Sequence, residues 1–209
     1  MSVRARPVHL SMIRGFHLAD FLTLANAACG VLAVFAVMGY VEARAPRSLL
    51  AATALIPLAL VFDVLDGRVA RSRQKHSAMG RELDSLADVI SFGVAPAAIA
   101  YGAGMKGLWD IVILVYFVCC GVSRLARFNV TAEELSADAG KVTYFEGTPI
   151  PSSLVLVGVV AVAAWLGRTG EALPLGAIRL GPGGLHPLTL AWALSGSLMI
   201  SKTIRIPKL

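Results

Sequence analysis

The sequence predicts an all-α polytopic membrane protein of six transmembrane helices, preceded by an N-terminal interfacial helix. Three observations carry that expectation: a large apolar excess, six long apolar runs, and basic residues that gather on alternate connections. Of 209 residues, 56% are hydrophobic and 15% charged, against about 25% charged in ordinary soluble domains. A chain so short of polar side chains cannot cover a water-exposed globule, which excludes a soluble enzyme. The 19 Lys and Arg outnumber the 13 Asp and Glu, for a net charge of +6. No basic block is interleaved with aromatics outside the short loops, so nucleic acid is not an expected partner. Membrane topology and attraction to anionic membrane lipids explain the charge better. Cys29, Cys119 and Cys120 lie inside apolar runs without CxxC spacing and support neither a disulfide framework nor a zinc site.

Taken in order, segment 1–18 carries Arg4, Arg6, His9, Arg14 and His17 among apolar residues. It reads as a helix lying in the interface, because the apolar core and small-residue cleavage site of a secretory signal are missing. The membrane domain, 19–209, holds apolar runs at 19–40, 49–70, 83–101, 108–122, 150–166 and 185–204. A spanning helix needs about 20 apolar residues. The runs read as helices because backbone groups in hydrocarbon must be paired internally, and none alternates as a barrel strand would. With the N-terminus in the cytosol, the inside segments hold 14 of the 19 basic residues. That asymmetry places both termini on the cytosolic side of the cytoplasmic membrane. Segment 173–184, with Pro174, Pro182 and four glycines, reads as an outside loop.

The unusual feature is acid at the cytosolic ends of the second and third runs. Asp63 and Asp66 stand three residues apart, and Asp84 and Asp88 four apart, so each pair shares one helix face. Four carboxylates converging in a nearly dry site repel one another unless hard divalent cations sit among them. Oxygen-only ligands suit Mg²⁺ or Mn²⁺. Gly67, Ala70 and Gly80 are interleaved with the acids, and their missing or small side chains would let a nucleotide or phosphate approach the backbone. Arg71, two turns beyond Asp63, offers a guanidinium fork for phosphate oxygens. One such acid would be an ordinary charge at a membrane interface. Four of them, with Gly and Arg between, point to function.

The pattern DxxDGxxAR, eight residues, then GxxxDxxxD is met by Asp63, Asp66, Gly67, Ala70, Arg71, Gly80, Asp84 and Asp88. It resembles the signature of the CDP-alcohol phosphatidyltransferases. The resemblance implies a six-helix membrane fold, usually a homodimer, whose aspartates hold two divalent cations on the diphosphate of a CDP-linked lipid. Carried over, Asp63, Asp66 and Asp84 are metal ligands, Asp88 is a ligand and the general base, and Gly67, Ala70, Arg71 and Gly80 face the CDP moiety. The blocks 82–97, 124–130 and 144–153 look like the phosphatidylserine synthase branch, which implies CDP-diacylglycerol as donor and L-serine as acceptor. Sister enzymes of the same fold use glycerol 3-phosphate or an inositol compound. A carboxylate-based cation transporter is the non-enzymatic alternative, but it would place its acids near mid-membrane and not at one cytosolic edge.

Thr23 and Asn26, one turn apart on the first run, suit either hydrogen bonds to nucleotide or lipid phosphate or plain interhelical bonding; the resemblance favours the first. Asp20 reads as a helix cap or an interface charge. Arg124, Arg127 and Asn129, at the inner end of the fourth run, suit either a carboxylate or phosphate of the acceptor or lipid, or positive-inside anchoring. Ser85 and Ser91 read as easing helix packing beside the acids.

Overall fold

The computed structural model describes residues 17–72, 78–137, 144–201 and 205–207; most of the N-terminal interfacial segment lies outside them. Helix α1 (Leu18–Ala43) and helix α2 (Pro46–Ser72) form an antiparallel hairpin and pack extensively on one another. The hairpin turns sharply because Arg44 takes a left-handed conformation, φ 53°, and its N–H closes on the Tyr40 carbonyl at 2.8 Å. Pro46 then starts α2 in the first turn, where a missing N–H loses no intrahelical hydrogen bond. Along α1 the buried residues are Asp20, Thr23, Asn26, Cys29, Gly30, Ala33, Val37 and Tyr40. Phe21, Leu32, Phe35 and Met38 are exposed. Small and polar groups therefore face the protein while bulky apolar ones face outward, as helices packed in lipid require.

The third run is one continuous helical path in three parts: α3 (Ala78–Asp88), a wider π-helical stretch (Val89–Val94) and α4 (Ala95–Ala103). The π stretch begins at the residue after Asp88, a placement common for such bulges beside functional groups. Helix α5 (Leu108–Ala137) is the longest element. It runs well past the end of the apolar run at 122, because Arg124, Arg127 and Asn129 continue the helix beyond its apolar section.

A short strand β1 (Tyr144–Glu146) leads to a 3₁₀ turn (Ile150–Ser152) and helix α6 (Ser153–Trp165). Strands β2 (Ile178–Leu180) and β3 (Gly183–Leu185) form a small hairpin in the segment read as an outside loop. Helix α7 (Leu190–Ile200) is followed by β4 (Arg205–Pro207). Antiparallel pairing of β1 with β4, Phe145 opposite Ile206, brings the lead-in to α6 beside the exit of α7. Gly147 completes that junction. Its φ is +71°, and a Cβ there would collide with the Met199 carbonyl oxygen, so only glycine permits the approach.

Among the described residues, four helices are long and apolar enough to cross a membrane: Leu18–Ala43, Pro46–Arg71, Met79–Ala103 and Leu108–Thr131. The apolar helices Ile150–Trp165 and Pro187–Ile200 are shorter. They complete the bundle, the former packed on α2 and α4 and the latter on α5. The molecule is mostly helical and a membrane protein by the length and composition of those four helices, with strands of only three residues.

One buried node fixes the start of α5. Asp110 is fully buried and accepts hydrogen bonds from Gly107 N at 2.9 Å, His186 N at 2.8 Å and Thr189 Oγ1 at 2.8 Å, with His186 Nδ1 at 2.6 Å. It thereby ties α5 to the 3₁₀ turn (Pro187–Thr189) that opens α7.

Candidate active site

The C-terminal part of α2 and the length of α3 bring the acids together. One carboxylate oxygen from each of Asp63, Asp66 and Asp84 lies within 4.8 Å of the other two. Asp88, one turn beyond Asp84, is buried and close enough to interact electrostatically with Asp63, Asp84 and Asp66. The spacings of three and four residues place each pair on one face of its helix, and the α2–α3 arrangement turns those faces toward each other.

Helix α1 supplies the groups that orient two of the acids. Thr23 Oγ1 donates to Asp66 Oδ2 at 2.6 Å and also lies 3.1 Å from the Ala19 carbonyl, so one hydroxyl proton serves two acceptors. Asn26 Nδ2 donates to Asp88 Oδ1 at 3.3 Å. Thr23 and Asn26 thus make interhelical bonds, and those bonds end on the acidic cluster. Asn26 is itself held, its carbonyl accepting from Ser91 Oγ at 2.8 Å. That contact is close because Gly30 has no side chain: a Cβ there would stand 2.7 Å from Ser91 Oγ and 2.8 Å from Ser91 Cα. Neither the Gly30–Ser91 approach nor the π stretch carrying Ser91 leaves a signature in the sequence beyond small residues in an apolar run. Asp20, read as a cap, receives the His17 backbone N–H at 2.7 Å from the third position of α1. It also sits near enough to Asp66 to add another negative charge.

The groups read as facing a nucleotide lie around this cluster. A Cβ at Gly67 would meet only Arg71 Nη2, at 4.0 Å, so the space above Gly67 is open. Ala70 is half-buried, and Arg71 is exposed in the last turn of α2 with its Nε donating to the Gly67 carbonyl at 3.1 Å. Gly80 lies half-buried in the first turn of α3.

On α5, the three residues read as acceptor or phosphate ligands fall in different settings. Arg124 is half-buried and interacts electrostatically with Asp88, and its Nε is buried without a hydrogen-bond partner. Arg127, one turn further, is half-buried. Asn129 Nδ2 reaches Ser85 Oγ at 3.0 Å and the Glu82 carboxylate at 3.4 Å, which ties α5 to α3.

A divalent cation fits this donor set. The ligands are all hard oxygens, as Mg²⁺ and Mn²⁺ prefer, and Asp84 Oδ1 is buried with no hydrogen-bond donor. A buried carboxylate oxygen without a donor is rare in a folded protein, and a cation beside it would supply the missing partner. The cluster combines a cation-binding set of acids, an open glycine floor and a guanidinium rim at one end of a membrane bundle, an arrangement able to hold a diphosphate beside a carboxylate base.

Comparison with known proteins agrees with that chemistry. The CDP-diacylglycerol–serine O-phosphatidyltransferase of Saccharomyces cerevisiae is 44% identical over 203 residues, covering 96% of this chain and 74% of the yeast protein. The protein of the same description from Mycobacterium bovis is 37% identical over 151 residues, 70% of this chain. The archaetidylserine synthase of Methanothermobacter thermautotrophicus is 40% identical over 143 residues. The chain spans about half the length of the latter two, 52% and 55%. The family model for CDP-alcohol phosphatidyltransferases matches residues 16–194, a stretch that takes in all four aspartates and the helices that position them; the chain belongs to that family.

Proposed function

We propose that the protein transfers the phosphatidyl group of CDP-diacylglycerol to the hydroxyl of L-serine, giving phosphatidylserine and CMP. The observation that carries this reading is the convergence of Asp63, Asp66 and Asp84 beside a buried Asp88. The identity of the acceptor is supported by the relatives, described as serine O-phosphatidyltransferases over most of this chain.

Asp63, Asp66, Asp84 and Asp88 would hold two divalent cations, Mg²⁺ or Mn²⁺, which when bound neutralise the diphosphate and the charge developing on the attacking and leaving oxygens. Gly67, Ala70, Arg71 and Gly80 line the place of the CDP moiety. Asn26 fixes one oxygen of Asp88, leaving the other to take the serine hydroxyl proton. The serine oxygen then bonds to the phosphorus that carries diacylglycerol, the bond from that phosphorus to the CMP oxygen breaks, and CMP departs. Thr23 holds Asp66 in the same manner. The enzyme forms no covalent intermediate in this scheme.

The same reading places six spans in the bilayer. The two shorter helices have 16 and 14 residues, about 24 and 21 Å at 1.5 Å per residue, against a hydrocarbon core of about 30 Å. Local thinning accommodates such a shortfall at modest cost. The domain comprises 19–209, with 1–18 lying in the interface. Both termini and the site face the cytosol at the cytoplasmic membrane, where serine and the cations are soluble, and the working unit is a homodimer.

The test is CMP release by the purified protein given CDP-diacylglycerol, Mg²⁺ or Mn²⁺, and one alcohol at a time. Release dependent on L-serine is expected. Release with glycerol 3-phosphate or an inositol compound, and none above background with L-serine, would move the chain to a sister branch.

A further inference from the structure

Three side-chain atoms among the described residues are buried without hydrogen-bond partners on either side of one contact: Arg124 Nε, Thr148 Oγ1 and Ser153 Oγ. The contact is made by Ile150, the first residue of the 3₁₀ turn before α6. Its Cδ1 would stand 2.8 Å from a Cβ added at Gly121 on α5, and 3.8 Å from one added at Gly93 on the π stretch. Gly121 and Arg124 are three residues apart and share a face of α5. Gly93 follows Asp88 by five residues, about one turn of the wider helix. Ser153 follows Ile150 by three, and residues so spaced in a 3₁₀ turn eclipse one another. The faces bearing Asp88, Arg124 and Ser153 therefore meet around Ile150. Thr148 precedes Ile150 by two residues, and its N–H holds that lead-in against α7 by donating to the Leu198 carbonyl at 3.2 Å.

Native proteins leave few buried polar groups unpaired, and each such group calls for a partner. Here the fully buried Ser153 adds an unpaired hydroxyl, Thr148 adds a second, and Arg124 an unpaired guanidinium N–H. One guanidinium and two neutral hydroxyls match the two oxygens of a carboxylate. Resting on the reading of an alcohol acceptor activated by Asp88, we propose that Arg124, Ser153 and Thr148 form the subsite for the carboxylate of an amino-acid acceptor. The lead-in to α6 is then the element that determines acceptor specificity. Lodged there, the carboxylate directs the hydroxyl of the same small molecule toward Asp88.

The experiment compares L-serine with L-serine amide and ethanolamine, which keep the hydroxyl and amine but lose the carboxylate. CMP release from CDP-diacylglycerol is followed for the wild type, Ser153→Ala, Thr148→Val, Arg124→Lys and Arg124→Gln. Wild type should favour L-serine over both analogues by about 100-fold or more, because a site built to bond a group rejects molecules lacking it. Ser153→Ala and Thr148→Val should each raise KM for L-serine about 5- to 10-fold while KM for CDP-diacylglycerol stays put, which also shows that the variants fold. Arg124→Gln should largely abolish the preference for L-serine over its amide, and Arg124→Lys should retain part of it. An unchanged preference in all four variants, or a rise in KM for CDP-diacylglycerol in place of L-serine, would overturn the subsite. Failure of the wild type to use L-serine at all would instead overturn the acceptor reading itself, and the subsite with it.

Discussion

A lone buried carboxylate, Asp110, and the cluster of Asp63, Asp66, Asp84 and Asp88 lie at different levels of this bundle and are treated in opposite ways. Asp110 meets four hydrogen-bonding partners, so its charge is met entirely by the protein. Asp84 leaves one oxygen buried with no donor, and Asp66 and Asp88 each receive one side-chain hydrogen bond, both from α1. Asp110 and Arg124 are separated by 14 positions on one helix, about 21 Å along its axis, so a single element links the two environments. An acid surrounded by donors holds helices together. Acids crowded together and short of donors await a positive ligand.

The largest effect should come from removing a member of the crowded set. Asp84→Asn should lower CMP release by more than about 100-fold, in line with losing a ligand whose supporting contacts alone are worth 10- to 100-fold. In metal-free detergent solution its melting temperature should equal or exceed that of wild type, since repulsion is relieved. Asp88→Asn should abolish turnover to a similar extent yet keep CDP-lipid binding largely intact, because a base acts on the acceptor. Near-normal turnover in Asp88→Asn would remove the base assignment.

Asp110→Ala should show the converse. The buried Thr189 hydroxyl loses its acceptor, while the part-buried Gly107 and His186 donors can turn to water. At about 1–3 kcal/mol per buried unpaired group, a loss of about 1–3 kcal/mol is expected, read as a lower melting temperature. KM for both substrates should be unchanged at temperatures where the variant is folded. A drop in activity with no drop in melting temperature would show that the node at the head of α5 serves more than structure.

Two glycine substitutions give the smallest and sharpest contrast. Gly30→Ala forces a methyl group against Ser91 Oγ and Cα, which should cost about 1–3 kcal/mol of overpacking and disturb the Asn26–Asp88 bond behind it. Gly67→Ala meets nothing closer than Arg71 Nη2 at 4.0 Å, and alanine is the better helix former by about 1 kcal/mol. That variant should melt no lower than wild type while its KM for CDP-diacylglycerol rises several-fold. An unchanged KM would mean that the open space above Gly67 is not where the nucleotide lies.

These contrasts also show which parts of the molecule were legible in the chain. The four aspartates stood out because charge inside an apolar run is costly and helical spacing translates directly into a shared face. The four long spans followed from hydropathy alone. The full length of α5 did not, since an apolar run stops at Arg124 whereas a helix does not. Asp110 carried no signal, because His186 and Thr189 approach it from more than 75 residues away in the chain. Thr23 and Asn26 were visible as polar residues in a span, but only the packing of α1 on α2 and α3 shows that their bonds end on Asp66 and Asp88. Nothing in the chain singles out Ser153, whose buried, unpartnered hydroxyl emerges only from the packing.

The most direct measurement is an anomalous-difference map from crystals of the protein grown or soaked with Mn²⁺. Peaks between α2 and α3, within coordination distance of Asp63, Asp66, Asp84 and Asp88, are the result predicted here, with two peaks marking the pair of cations. A Mn²⁺-saturated crystal with no peak at that place and the four carboxylates turned apart would contradict the account.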